Sequence, residues 1–560
     1  MVANSNENNA DKGNAAWLWP IGLVFIAFIV LGFHLGQLPL LDRDETRYTW
    51  MAKVMLEKSD WVVTWLNHQP HLAKPPLFVW LLAGVFKVLG ISEWSARLVP
   101  LAAGVGTVLL TYAAGALLWN RRTGFMAGLI LIFSPLFWGL SRFVVTDMTL
   151  TLWTTLGIVS FLYAIHRQQY HLCYLAYAAW GLAFLTKGPV GVAIPFFIII
   201  AYMVRLGIWR QWRLYKPFTG LLVFLAVAIP WYILVEFRIP GYLKYFFIEE
   251  NLLRFATKMH KRYEPFWFFV PVVILGMFPW TLLLWQAIRP KDGKTWLQHL
   301  LQPTLFLCLF WFGVGFVLFS MSGSKLPTYI LPYLIPLALL LGAVIDQGWS
   351  GRKISYWGII SICLVVSVGL LAAGYLIPVA KLGKNAANTV SWPMTPEAVI
   401  LGVMGVFLSV LVYIRKSHWG VLVMAVGIFL LIVHAALLDE GMKFAQSNSA
   451  RETGAYLRST LKRGDTILVY HPHRWSMSVE VPSIYPVTYE PDLFVINSQL
   501  RSIHGRVFVW LRKPKDLSDL NRIYNGPLTT LVQEGSQLLV MKPAVYSQNS
   551  TNQLPAMGDK

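Results

Sequence analysis

Two short polar islands interrupt an otherwise apolar sequence, and they hold the residue types best suited to chemistry. The first, Leu41-Asp42-Arg43-Asp44-Glu45-Thr46-Arg47-Tyr48, sets three carboxylates, two guanidiniums and a phenol within eight residues. The second, His68-Gln69-Pro70-His71-Leu72-Ala73-Lys74-Pro75-Pro76, fixes a lysine ahead of a rigid double proline. Asp44 and Arg47 lie three apart, so a helix starting here places them on one face with Tyr48 close by. That arrangement suits either of two roles: an acid at a helix start with a local ion pair, or a general base held beside cationic donors. Lys74 reads as a snorkelling interfacial lysine or as a fixed cation. His68 and His71 read as interfacial polar residues or as ligands; one carboxylate cluster with two histidines is a weak metal signal. The sequence requires no cofactor, and a divalent metal finds no support in it.

Further cations recur along the chain. Asp147 opens an apolar run in Val144-Val145-Thr146-Asp147-Met148-Thr149, where an acid is expected as a helix cap or as a partner of Asp44. Lys187 is an isolated charge in Thr186-Lys187-Gly188-Pro189, and Lys325 repeats that placement in Ser324-Lys325-Leu326-Pro327-Thr328-Tyr329. Arg254, Lys258, Lys261 and Arg262 cluster in another polar stretch. A basic loop is usually a solvated face. Cations from several separate loops on one side of a membrane are also what a phosphate site needs.

The elements that must position these residues are membrane helices. The chain is 56% hydrophobic and only 13% charged, against about 25% charged residues in soluble domains. Apolar runs of roughly 17–25 residues identify a polytopic α-helical membrane protein. The expected spans fall near 17–35, 98–118, 124–140, 147–165, 173–186, 188–205, 217–235, 266–288, 302–320, 327–345, 354–377, 397–414 and 419–438; these are about thirteen in all. Residues 1–16 are expected as a disordered tail, 17–438 as the transmembrane domain, 439–543 as a small extracytoplasmic α/β domain and 544–560 as a second tail. Residues 38–97 and 236–265 form the long outer loops, the first with interfacial amphipathic helices.

The net charge of +20 does not point to nucleic acid, because the positive residues sit beside apolar spans, where they act as topology signals. Arg121-Arg122, Arg167, the Arg205/Arg210/Arg213/Lys216 set, Arg289/Lys291/Lys294, Arg352-Lys353 and Arg415-Lys416 mark one side as cytoplasmic. The N-terminus is then cytoplasmic, with the polar islands and the C-terminal domain outside. The two long outer loops break the rule with many Lys and Arg, and binding an anionic ligand there is the simplest reason. Cys173, Cys308 and Cys363 all lie in apolar spans and read as packing residues.

The Asp44-Glu45-Thr46-Arg47-Tyr48 run, Lys74-Pro75-Pro76, the Lys187-Gly188-Pro189 hairpin, Arg254-Phe255, Pro265-Phe266-Trp267 and Ser324-Lys325-Leu326-Pro327-Thr328-Tyr329 stand in this order in the chain. In this the sequence resembles the bacterial lipid A aminoarabinose transferases, which belong with the protein O-mannosyltransferases in the GT-C glycosyltransferase superfamily. The resemblance covers about residues 38–345. It implies an inverting transferase of the bacterial inner membrane, moving a sugar from a polyprenyl-phosphate-linked donor on the periplasmic face. The acceptor would be a hydroxyl or phosphate of a lipid, protein or cell-envelope glycan. Carried over, Asp44 becomes the base, with Asp147 assisting. Arg47, Tyr48, Lys74, Arg254, Lys325 and Tyr329 become ligands of the lipid phosphate, and Glu45, His71, Lys187 and Arg262 candidates for the substrate pocket. Ala73 departs from the family's usual Glu before the lysine, so a cationic amino sugar does not follow from the motif. The alternative reading is a transporter or flippase of a lipid-linked sugar; that reading expects charged groups or broken helices near mid-membrane.

Overall fold

The computed structural model describes residues 17–67, 69–253, 264–290, 295–349, 449–470, 475–482, 485, 487–534 and 537–544. The expected spans at 354–377, 397–414 and 419–438, both terminal tails, His68, Arg254, Lys258, Lys261 and Arg262 lie outside them. In chain order the main helices are α1 (Leu18–Gly32), α2 (Asp44–Lys58), α3 (Leu77–Leu89), α4 (Glu93–Leu118), α5 (Arg121–Ile132), α6 (Pro135–Leu140), α7 (Thr146–Arg167), α8 (Leu172–Lys187), α9 (Val190–Arg205), α10 (Pro217–Arg238), α11 (Phe269–Gly276), α12 (Leu284–Ile288), α13 (Pro303–Met321) and α14 (Leu334–Trp349). After residue 448 come α15 (Arg451–Thr460), α16 (Ser476–Glu480), α17 (Leu493–Ser502) and α18 (Pro514–Ile523), interleaved with strands β1 (Thr466–Val469), β2 (Val487–Tyr489), β3 (Val507–Leu511), β4 (Thr529–Glu534) and β5 (Gln537–Lys542). The chain divides into two compact units. Among the described residues the first holds 17–37, 58–64 and 70–349, and the second holds 38–57, 65–69 and 449–544.

The first unit is helical. Among the described residues five of its helical stretches are long and apolar enough to cross a membrane, by length and composition: Glu93–Leu118, Thr146–Arg167, Pro217–Arg238, Pro303–Met321 and Pro327–Gln347. Its centre is α4, α5, α7 and α14. Helices α4 and α5 approach so closely that a Cβ on Gly115 would stand 2.5 Å from the Gly124 Cα; small residues at such crossings let helix backbones pack where lipid supplies no hydrophobic drive. Helix α4 starts with a capping box in which Ser92 and Ser95 satisfy each other's backbone donors. Buried arginines meet carbonyls at and just past the end of α1: Arg142 Nη1 donates to the C-cap Phe33 O, and Arg97 Nη1 donates to Leu35 O, in the turn that follows, at 2.9 Å. Cations suit that end, where four carbonyls lack helical partners.

Two expected spans are broken. The run 124–140 is interrupted at Ser134, whose backbone is extended ahead of Pro135 at the start of α6. The run 266–288 splits into α11 and α12, with a turn through Met277 to Pro279 and a 3₁₀ segment Trp280–Leu283 between them. The cause is the same in both: the residue before a proline is pushed out of helical backbone, and the proline supplies no N–H to the preceding turn. Hydropathy alone reads across both breaks.

The second unit is built on a five-stranded sheet in the order β2-β1-β3-β5-β4. Strand β1 pairs parallel with β2 and β3, while β5 pairs antiparallel with β3 and β4. All five residues of β3 are buried, as expected of a central strand covered on both faces. Val507, Val509 and Leu511 meet Ile496, Leu500 and Leu520 of α17 and α18 on one face. Phe508 and Trp510 point to the other face, where Leu457 of α15, Met477 of α16 and Trp50 of α2 complete the core. A helix from the first polar island is thus part of this domain's interior.

Candidate active site

In the first unit the site is built at one end of an antiparallel helix pair. Helices α7 and α8 are joined by a short turn, so the first residues of α7 and the last of α8 lie at the same end. Asp147 sits in the first turn of α7 and Lys187 is the last residue of α8, positions where the helix dipoles favour an anion and a cation respectively. Lys187 Nζ donates to Asp147 Oδ1 at 2.6 Å, with both side chains about nine-tenths buried. Asp147 does not cap its helix, as an acid at a helix start would; Val145 holds the cap position and the carboxylate turns to the lysine.

Tyr329 completes this cluster. The Lys187 ammonium lies 4.3 Å from the centre of its ring, within cation–π range. The tyrosine belongs to a 3₁₀ segment, Pro327–Tyr333, in which proline at the first positions restricts the backbone. Four residues upstream, Lys325 is buried and donates to the Glu264 carbonyl at 2.8 Å. Burial pulls its ammonium below the ordinary lysine range, partly offset by the Glu264 carboxylate. Gly188 follows Lys187 with φ +81°, and a Cβ there would stand 2.8 Å from the Phe246 ring. Only glycine suits that backbone and that approach.

An aromatic wall joins this end of α8 to the second island. Leu185, Trp231, Tyr232, Tyr242 and Phe246 form one buried cluster with Leu77, and Leu72 packs against it. The residues flanking Lys74-Pro75-Pro76 therefore rest on the same cluster as the last turn of α8. Trp80 Nε1 donates to Trp61 O at 2.8 Å and Trp231 Nε1 to Val62 O at 2.9 Å, tethering the chain ahead of the island. Asp60 closes a turn by accepting from the Val62 and Val63 amides. His71 is held by its backbone: its N–H donates to Thr64 O at 2.7 Å and its carbonyl accepts from Thr64 Oγ1 at 2.8 Å. These tryptophan tethers were not read from the sequence, where an indole near an interface signals only a belt.

In the second unit the first island starts helix α2. Arg47 Nη2 donates to Asp44 Oδ1 at 2.6 Å, and its guanidinium lies 5.0 Å from the Tyr48 ring centre. Asp44 keeps 45% of its side chain exposed, while Tyr48 and Glu45 are buried. The Glu45 carboxylate turns back to accept from the Leu41 amide at 2.9 Å. Asp42 accepts from Thr46 Oγ1 at 2.7 Å and from Ser476. Asp44 and Asp147 fall in different units. Arg254 and Arg262 lie outside the described residues. Among the described residues no group of three or more His, Cys, Asp or Glu is placed to hold a metal ion.

Residues 73–234 match the family model for dolichyl-phosphate-mannose-protein mannosyltransferases. Over 94% of this chain and 98% of that chain, the fold is similar to the crystal structure of ArnT from Cupriavidus metallidurans bound to undecaprenyl phosphate, with TM-score 0.77 and 22% identity. The fold is that of a GT-C membrane glycosyltransferase. The chain is also 30% identical to the undecaprenyl phosphate-α-4-amino-4-deoxy-L-arabinose arabinosyl transferase of Pectobacterium carotovorum, over 78% of this chain and 79% of that protein. It is 33% identical to the enzyme of the same name from Aeromonas salmonicida, a match that spans 61% of that relative's length. The chain belongs to the undecaprenyl phosphate-aminoarabinose arabinosyl transferase family.

Proposed function

We propose that this chain transfers a sugar, with inversion, from undecaprenyl phosphate to a hydroxyl or phosphate of an envelope acceptor on the periplasmic face of the inner membrane. The acceptor oxygen attacks the anomeric carbon, the bond from that carbon to the phosphate oxygen breaks, and undecaprenyl phosphate leaves. A single displacement needs one base and no protein nucleophile, unlike the paired-carboxylate hydrolases. Asp44 is the assigned base, taking the acceptor proton. Arg47 holds Asp44 through one terminal nitrogen, and its buried Nε has no hydrogen-bond partner among the described residues.

The observation that carries the donor assignment is the Asp147–Lys187–Tyr329 cluster, whose ion pair is about nine-tenths buried, with Lys325 four residues ahead of Tyr329. A phosphate leaving group gains charge as the bond breaks, and fixed cations stabilise it most where water is excluded. In this reading Asp147 and Tyr329 hold Lys187 in place, and Lys187, Lys325 and Lys74 serve the donor phosphate. Arg254 is assigned to the same anionic group and Arg262 to the substrate pocket. The family makes 4-amino-4-deoxy-L-arabinose the first sugar to try and lipid A the first acceptor, with protein and glycan acceptors next.

The test is purified protein in proteoliposomes with undecaprenyl-phosphate-linked sugars and each acceptor, comparing wild type with Asp44→Asn and Lys187→Met. Transfer by wild type, loss with Asp44→Asn and weakened donor use with Lys187→Met is the expected result. Equal turnover by Asp44→Asn removes it as the base. Translocation of the labelled lipid without transfer replaces the reading with a flippase.

A further inference from the structure

The second unit joins residues more than 400 positions apart, and the points of attachment are specific. Helix α2 carries Asp44 at its start. Thr46, Trp50 and Lys53 recur at helical spacing on a different face of α2 from Asp44 and Arg47, and each of the three is engaged. At the N-terminal end, Asp42 Oδ2 accepts from Ser476 Oγ at 2.6 Å and Oδ1 accepts from the Ser476 amide at 3.0 Å and from Thr46 Oγ1 at 2.7 Å. In the middle, the Trp50 ring lies 5.4 Å from Trp475 and 5.9 Å from Tyr489. Further along, the buried Lys53 Nζ donates to the carbonyls of Ser478 at 2.9 Å, Val479 at 3.3 Å and Val481 at 2.7 Å. One short segment, 475–481, thus grips α2 at three heights. Tyr489 steadies that segment in turn, sharing a 2.7 Å hydrogen bond with Ser478 Oγ.

We propose that Ser476 and Lys53 are positioning residues for transfer: the 475–481 segment of the C-terminal domain sets where the Asp44 carboxylate is held. The proposal rests on Asp44 being the base. Its physical ground is geometric. Ser476 binds Asp42, two residues before Asp44, at the point where the loop becomes helix. Lys53 fixes the same helix more than two turns later, so the pair sets both the start of α2 and its rotation about its own axis. Ser476 thus acts two residues from the base, and Lys53 ties the same helix to the same segment. Displacements of about 1 Å from the productive geometry cost up to roughly a hundredfold in rate.

The experiment measures kcat and donor KM for full-length wild type, Ser476→Ala, Ser476→Thr, Lys53→Met and Asp44→Asn, and Ser476→Ala in the Asp44→Asn background. Ser476→Ala keeps the hydrogen bond from the backbone N–H to Asp42 and is expected to lower kcat by roughly ten- to a hundredfold, with donor KM unchanged. Ser476→Thr, which keeps the hydroxyl, restores most of the rate. In the Asp44→Asn background Ser476→Ala adds no further loss, because residues acting through one group are not additive. Lys53→Met lowers kcat in the same way and carries the test if Ser476→Ala does not fold. Wild-type kcat in both single variants, a loss that Thr does not rescue, or an additive loss in the double variant overturns the proposal. Wild-type turnover by Asp44→Asn instead overturns the base assignment on which it stands.

Discussion

Asp147 and Lys187 stand forty residues apart in sequence and meet at 2.6 Å, both nearly removed from solvent. A buried pair of this kind contributes little net stability, because each partner was better hydrated in water; removing one partner is another matter, since it leaves the other charge buried alone.

The first prediction follows from that asymmetry. Asp147→Ala destabilises the purified protein by roughly 3 kcal/mol, while the double variant Asp147→Leu/Lys187→Met loses much less. Thermal unfolding in one detergent compares them. A double variant as unstable as Asp147→Ala would mean that the lysine is not stranded by the single change.

Tyr329 offers a sharper separation. Its ring faces the Lys187 ammonium at 4.3 Å, and Tyr329→Phe preserves that face. Tyr329→Leu loses about 1–2 kcal/mol of cation–π attraction and weakens donor affinity by roughly tenfold, whereas Phe changes it little. Donor titration of both variants checks this; equal losses in Phe and Leu would assign the effect to the hydroxyl.

Trp50 tests the shared core. It is 6% exposed and sits in the cluster of Trp475, Tyr489, Phe508 and Leu539. Trp50→Ala is expected to cost about 3–5 kcal/mol and to speed proteolysis within residues 449–544, although the substitution lies far from them in sequence. Cleavage there at the wild-type rate would exclude a common core.

Lys53 gives a dependence on pH. Burial holds its ammonium below the ordinary value of 10.5, with Glu57 and Glu480 pulling it up and Arg458 pulling it down. Between the depressed value and 10.5 the unfolded chain binds more protons at this site than the folded one, so stability rises with pH across that window. The melting temperature of wild type minus that of Lys53→Met is therefore expected to increase as alkali is approached. A gap that shrinks over the same range would reverse the sign and refute the burial argument.

The apolar helices were legible because membrane spans announce themselves by composition, and the local pairing of Asp44 with Arg47 followed from spacing alone. The breaks at Ser134 and before Pro279 were carried by the prolines, whose local rule competes with the hydropathy that spans them. The bond between Asp147 and Lys187 was not legible. It needs the knowledge that α7 and α8 pack antiparallel, so that the start of one meets the end of the other, and neither charge differs in sequence from a cap or an isolated loop lysine. Lys53 was the least legible of all. A lysine on a mixed helix reads as a solvated face, and its three carbonyl partners lie in a segment 425 to 428 residues away. Long-range partners of that kind leave no periodic trace.

The attachment of α2 to residues 475–481 also has a consequence for biogenesis. Helix α2 leaves the ribosome early, yet the partners of Asp42 and Lys53 are synthesised 434 and 425 residues later. Until then Trp50 and Lys53 have no core to enter, and contacts of such high sequence separation are slow to close. A nascent chain halted before the sheet is complete therefore displays an unsheltered aromatic helix, the kind of surface that chaperones and proteases recognise. Residues 449–544 thus decide whether α2, made far earlier, finds the core that shelters it.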